Sequence, residues 1–276
     1  MDRLTSLART VWKQSQENDV SGMAAELSYR LFVASVPVFA FLATVGAIAA
    51  GVLGGENPAR EVVDSTGDAL PSDIATTLER ELERLIDSSG PVALVTTLAG
   101  SLWTGSLAMG SVVKSLERIH NARVERSRWQ RWTLVVGLTV VGGILLILAL
   151  LGLLLSELYQ DDLAGWVGLG TPSAALVTVM AWALAFVLVV ASAGILYHAV
   201  PPFSTRARWV TYGGAGFGLT WLIGSIAWLI YLSNFDTYGG TYGLLGAILL
   251  ALGWLYFSST AFLLGAQLDL SLCESH

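Results

Sequence analysis

Six stretches of this chain run for more than twenty residues without a single Asp, Glu, Lys or Arg: Leu31–Leu53, Pro91–Val113, Thr133–Ser156, Ser173–Tyr197, Trp209–Ser233 and Tyr242–Leu268. The hydrocarbon core of a bilayer is about 30 Å thick and a helix rises about 1.5 Å per residue, so an apolar run of about 18 residues or more is long enough to cross it. Lipid offers no partner for backbone N–H and C=O groups, which leaves helices and closed barrels as the spanning structures. Barrel strands are about 10 residues long and alternate in polarity. These runs are longer and do not alternate. The expectation is an all-α integral membrane protein with six transmembrane helices, folded as a single membrane domain over residues 1–276. Composition agrees: 13% of the residues are charged, against roughly 25% in soluble chains. The single cysteine, Cys273, excludes a disulfide framework and a Cys-rich metal site.

Basic residues set the orientation of such a bundle, because they are retained on the cytoplasmic side. Arg3, Arg9, Lys13 and Arg30 precede or open the first span. Lys114, Arg118, Arg123, Arg126, Arg128 and Arg131 lie between the second and third, and Arg206 and Arg208 between the fourth and fifth. With six alternating spans, all of these fall on one side. Arg60, Arg80 and Arg84 are the exceptions, set among nine acids in the first connection. The chain is therefore expected in the cytoplasmic membrane, multi-pass, with both termini cytoplasmic.

Two segments outside the spans have a helical pattern. Leu4, Leu7, Ala8, Val11 and Trp12 share one face flanked by Arg3, Arg9 and Lys13. That is the signature of an interfacial amphipathic helix, expected within residues 1–27 on the cytoplasmic side. In the first connection, Gly54–Gly90, Asn57-Pro58 and Pro71-Ser72-Asp73 open two helical patterns, the second with Ile74, Leu78, Leu82, Leu85 and Ile86 on one face. N-caps followed by proline start helices, so this piece is expected to be an extracytoplasmic helical hairpin, serving as a lid, a docking surface or a folded loop. The first apolar run is too long for the hydrophobic region of a signal peptide and reads as a span.

The chemistry-bearing residues are few. His120, His198 and His276 are scattered, and the chain has no H-E-x-x-H, P-loop or G-x-S-x-G motif. Metal hydrolysis and nucleotide chemistry thus lack their ligand sets. No metal, no cofactor and no nucleic-acid partner is implied. The spans carry no charge, and the nearest charged residues are Glu26 and Arg30, one turn apart just before Leu31. Glu four residues ahead of Arg is the favourable pairing order, consistent with either an anchor or a headgroup site with Tyr29 beside it. Charge-free spans argue against an intramembrane proton or sodium relay and suit amphiphilic cargo. Pro37 inside the first run removes a helical N–H and is expected to kink it. Gly214 and Gly218 are spaced for close helix contact, as are Gly239 and Gly243. Trp12, Trp129, Trp132, Trp166 and Trp209 mark span ends, whereas Trp103, Trp182, Trp221, Trp228 and Trp254 lie deeper and could line a groove, with lipid contact the expected role of most.

These residues also resemble the YihY/BrkB family of membrane proteins, once labelled ribonuclease BN. The resemblance is carried by Ala24-Ala25-Glu26-Leu27-Ser28-Tyr29 with Pro37 beyond it, by Leu102-Trp103 followed by His120-Asn121, and by Tyr197, Pro201 and Arg208-Trp209. Tyr242-Gly243, Trp254-Leu255-Tyr256 and Gly265-Ala266-Gln267-Leu268 complete it. Two positions depart from the family pattern: Gly213-Gly214-Ala215 stands where Pro-Gly-Ala is usual, and Gln267 where Glu is usual. The resemblance implies lipid movement, since one relative is proposed to flip a lipid A precursor and others are tied to serum resistance. The lipid-binding candidates are Glu26, Tyr29, Arg30, Trp103, Asn121, Tyr242, Trp254 and Gln267. Pro37, Gly214, Gly218, Gly243 and Gly265 are hinge or packing candidates. The expected function is a transporter or flippase for lipid or amphiphilic cargo, with membrane lipids, anionic ones included, as partners and homo-oligomerisation open. The alternatives are a non-transporting envelope-assembly scaffold that docks through Gly54–Gly90 and, further off, a ribonuclease, a label that no residue here supports.

Overall fold

The computed structural model describes residues 13–53, 80, 84, 91–120, 126–158, 173–200, 212–233 and 236–274. Six long helices dominate: α1 (Val20–Leu53), α2 (Pro91–Ile119), α3 (Arg128–Leu158), α4 (Ser173–Ala199), α5 (Tyr212–Ser233) and α6 (Asp236–Glu274). Among the described residues there is no strand. Each of the six holds a window apolar and long enough to cross a membrane. Their outer faces carry bare apolar side chains, among them Val92, Val95, Trp103, Val179, Met180, Leu229 and Leu245. In water this exposure would be prohibitive, but against acyl chains it is the expected surface.

Several threonine hydroxyls in these helices are satisfied within their own helix, as lipid demands. Thr44 Oγ1, Thr97 Oγ1, Thr104 Oγ1 and Thr139 Oγ1 each donate to the carbonyl one turn earlier, the habitual bond of hydroxyls in apolar helices. Helix starts are capped. Asp19 ends the short helical turn at residues 13–17 in a left-handed conformation (φ 54°) and accepts the Gly22 N–H at 3.2 Å through Oδ1. It thus serves as the N-cap of α1. Ser127 and Gln130 form a reciprocal capping box at the start of α3. Ser127 Oγ accepts the Gln130 N–H at 3.3 Å, and Gln130 Oε1 accepts the Ser127 N–H at 3.1 Å.

Helices α1 and α6 extend furthest past the apolar runs. α1 has 34 residues, roughly 51 Å at about 1.5 Å each, and Glu26 and Arg30 lie inside it. Its apolar window, Val20–Leu42, includes both. α6 continues through Asp269 to Glu274, and its window reaches Leu272. The expectation of charge-free spans is therefore corrected: α1 holds Glu26 and Arg30, α2 holds Lys114, Glu117 and Arg118, α3 opens with Arg128 and Arg131, and α6 holds Asp269. Ending a span at its first charged residue misplaces its boundary, because a charged side chain does not interrupt the i→i−4 bond ladder.

The region 1–27 is divided by the turn at Asn18-Asp19, with residues 20–27 continuous with α1. The amphipathic pattern Leu4–Trp12 lies outside the described residues. So does the hairpin of Gly54–Gly90, except for Arg80 and Arg84, which are helical and exposed.

The chain divides into two compact units. One comprises Met1–Met23, Val112–Ile223 and Thr260–His276, and the other Ala24–Ser111 and Gly224–Ser259. In the first, α3 packs against α4, and Leu116, Ile119, Leu263 and Ala266 are fully buried. In the second, α1 and α2 meet where Ser101 Oγ lies 2.8 Å from the Pro37 carbonyl oxygen and 2.7 Å from that of Thr97. Pro37 sits within α1 without ending it. A second contact there joins α5 to α6, where Phe257 lies over Gly224 and Trp228 over Gly253.

Candidate functional site

In the unit Ala24–Ser111 and Gly224–Ser259, polar chemistry gathers on the first turns of α1. Glu26 Oε1 accepts from Arg30 Nε at 3.1 Å and from Ser111 Oγ of α2 at 3.2 Å. Ser111 is buried, so the carboxylate is pinned on the protein side. Arg30 is held through Nε alone, and its two Nη groups have no partner among the described residues. Its side chain is 40% exposed. Helical periodicity places Tyr29, Val33 and Val36 beside it on one stripe, and all three are exposed. A guanidinium fork thus stands at the head of an exposed apolar track. Two oxygens of an anionic headgroup could take its free N–H groups, with an acyl chain against Val33 and Val36.

The other candidates are dispersed. Trp103 is exposed on α2 at 72%. Trp254 belongs to an aromatic cluster, with ring centroids 5.8 Å from Trp228 and 5.7 Å from Phe257. Tyr242 and Gly243 lie in α6 with their side-chain positions undescribed, and Asn121 lies outside the described residues. Gln267 belongs to the other unit, where it is fully buried and neither amide atom has a hydrogen-bond partner among the described residues.

Around the glycines of that other unit, three helices meet closely. A Cβ on Gly213 of α5 would lie 2.1 Å from the Gly265 carbonyl oxygen of α6 and 2.6 Å from Asp269 Cγ. A Cβ on Gly265 would lie 2.7 Å from the Tyr197 hydroxyl of α4 and 2.9 Å from Phe217 Cβ. Tyr197 donates to the Phe262 carbonyl, and the rings of Tyr197 and Phe217 both contact Phe262. Asp269 Oδ1 accepts the Gly213 N–H at 2.6 Å. An acid from α6 thereby caps α5, which has none in its own first turn. Gly218 faces Val190 and Phe186 of α4, and Gly214 is buried.

Sequence reasoning missed Asp269 because it falls one residue past the last uncharged run. It missed the partners of Glu117 because they lie beyond the end of α2, Arg131 being fourteen positions on in sequence. Glu117 of α2 meets Arg131 at 3.1 Å and Arg126 at 3.7 Å, and Arg126 Nη2 donates to the Val200 carbonyl at 2.8 Å.

A family model described as Virulence factor BrkB matches residues 11–276. The chain belongs to the BrkB virulence factor family. Among its relatives is a ribonuclease-like protein, YfkH, of Bacillus subtilis, 22% identical over 257 residues, covering 89% of this chain and 87% of the relative. UPF0761 membrane proteins of Xanthomonas campestris pv. campestris and Xanthomonas oryzae pv. oryzae are 26% and 25% identical over 282 residues. The alignments cover 98% of this chain and 61% of those relatives, so this BrkB-family chain matches less than two thirds of the length of the Xanthomonas proteins. No solved structure matches the chain. Family membership, the membrane-protein relatives and the six apolar helices agree on a multi-pass membrane protein.

Proposed function

We propose that this protein binds anionic amphiphiles in the cytoplasmic membrane and moves them across it, with both of its termini in the cytoplasm. The observation that carries the reading is Arg30: it is held by Nε alone, its Nη groups are open, and it stands beside the exposed stripe Tyr29–Val33–Val36. A guanidinium is weakly hydrated for a cation and matches phosphate oxygens two at a time. Glu26, fixed by Ser111, keeps it oriented when no headgroup is present. The basic residues in the second and fourth connections support the orientation. We read the protein as a carrier and not a nuclease. Among the described residues no three His, Cys, Asp or Glu side chains gather as a ligand set.

The test is Arg30→Gln in protein reconstituted into vesicles of phosphatidylcholine and phosphatidylglycerol, with a labelled anionic lipid as cargo. A surface ion pair contributes about 0–1 kcal/mol, so expression and melting temperature should match the parent. A lost charge-assisted hydrogen bond is worth about 1.5–3 kcal/mol, so headgroup affinity should fall about tenfold or more. Arg30→Lys should recover part of it, since the charge returns without the fork. Unchanged binding and movement in Arg30→Gln would refute the reading, as would failure of that variant to fold, which marks a structural pair.

A further inference from the structure

We infer that the paired ends of α2 and α3 form a fixed binding surface for anionic phospholipid headgroups, built from residues other than Glu26, Tyr29 and Arg30. The surface lies within the unit that contains Val112–Ile223. Arg131 and Arg126 both reach Glu117, which brings the last turns of α2 against the first turn of α3. Glu117 is the one acid described there, and these two guanidiniums already occupy it. Lys114 and Arg118, one turn apart on α2, and Arg128 on α3 are exposed and have no ion-pair partner among the described residues. The surface therefore carries an uncompensated positive charge.

The surface also sits at the level where a headgroup would be. α3 is uncharged from Thr133 to Ser156, and α2 is uncharged from Pro91 to Val113, so the cations stand at the edge of both apolar stretches. In the same first turn of α3, Trp129 and Trp132 are 76% and 60% exposed and touch edge to face, with ring centroids 5.7 Å apart. Exposed indoles at a span end favour the interfacial layer, with the ring among the first acyl carbons and the N–H toward ester and phosphate oxygens. Indoles alone would accept any phospholipid. Cations left unpaired beside them select for a net negative headgroup, and each Lys or Arg near an anionic surface contributes about fivefold in partitioning.

The experiment uses the full chain in mixed phosphatidylcholine and phosphatidylglycerol vesicles in which one lipid or the other carries brominated acyl chains at equal mole fraction. Bromine quenches nearby tryptophan. The signal of the pair is the difference between the parent and the Trp129→Phe, Trp132→Phe double variant. Brominated phosphatidylglycerol should quench that difference more strongly than brominated phosphatidylcholine. Arg118→Gln with Arg128→Gln should abolish the preference, about 25-fold in local enrichment for two charges. The matching Lys pair should keep it, and high salt should weaken it in the parent. Arg30→Gln should leave it intact, which separates this surface from the proposed cargo site. Equal quenching by the two lipids overturns the inference. So does a preference that survives loss of Arg118 and Arg128, or one that high salt leaves unchanged.

Discussion

Gly213→Ala should be among the most damaging single-methyl additions in this chain. The added Cβ would sit 2.1 Å from the Gly265 carbonyl oxygen, more than an ångström inside ordinary contact, and that neighbour is backbone and cannot rotate away. α5 and α6 would have to separate there. Overpacking of this kind costs about 1–3 kcal/mol. Separation also strains the 2.6 Å bond from the Gly213 N–H to Asp269 Oδ1, a charged hydrogen bond worth about 1.5–3 kcal/mol. Together these predict a loss of roughly 2–5 kcal/mol, or a fall in melting temperature on the order of 10 °C for a chain of this size. Gly143→Ala in α3 is the control, since a Cβ there meets nothing within 4 Å. It should be neutral or stabilising by up to about 1 kcal/mol, the ordinary helix preference of alanine over glycine. Thermal unfolding of both variants in the same detergent, followed by loss of the monodisperse peak on gel filtration, makes the comparison. If Gly213→Ala melts with or above Gly143→Ala, the close α5–α6 approach is wrong.

Three further substitutions test separate parts of the structure. Gln267→Met replaces two buried amide atoms that have no partner among the described residues with a side chain of similar shape, and should raise the melting temperature by an amount equivalent to about 1–3 kcal/mol. A drop would show that the amide has a partner, such as an ordered water. Asp269→Asn keeps an oxygen for the Gly213 N–H but removes the charge at the start of α5, so it should destabilise by about 0.3–1 kcal/mol. Asp269→Ala should cost more, and equal melting of the two would deny the cap. Ser127→Ala removes the capping box of α3 and should cost about 1 kcal/mol in thermal unfolding, while Gln130→Ala should give a smaller loss in the same assay.

The spans were legible because hydropathy is a sum over many residues, and no single position can hide it. Their ends were not, because Glu26, Arg30 and Asp269 continue helices that a rule based on uncharged runs cuts short. The Glu26–Arg30 pair was legible from its spacing of four. Its tie to Ser111 was not, since that contact spans 85 positions in sequence. The capping box at Ser127 was open to reading as a Ser-x-x-Gln pattern ahead of an apolar run. Nothing local distinguishes Gly213 or Gly265, with backbone almost in contact, from Gly137 or Gly143, which face open space. Helices in lipid gain little from mutual apolar burial, so close backbone approach and polar bonds decide their packing. Those features depend on which helices become neighbours, and periodicity along one helix carries no such information.

The two Glu–Arg assemblies make the same point about function. Glu117 and Arg126 are 16% and 19% exposed, and Arg126 is further tied to the Val200 carbonyl, so the cluster fastens the end of α2 to the chain leaving α4. Removing either partner would leave a charge largely withdrawn from water, which costs about 3–5 kcal/mol where burial is deep. Glu26 and Arg30 are 39% and 40% exposed, and there the pair itself contributes little to folding. One arrangement is withdrawn from water and tied to a backbone carbonyl; the other holds a more exposed guanidinium by one nitrogen among the described residues. The residue types are the same, so composition and spacing cannot separate a fastening from a binding group. What separates them is exposure, 19% for Arg126 and 40% for Arg30, and that access supports the headgroup site proposed at Arg30.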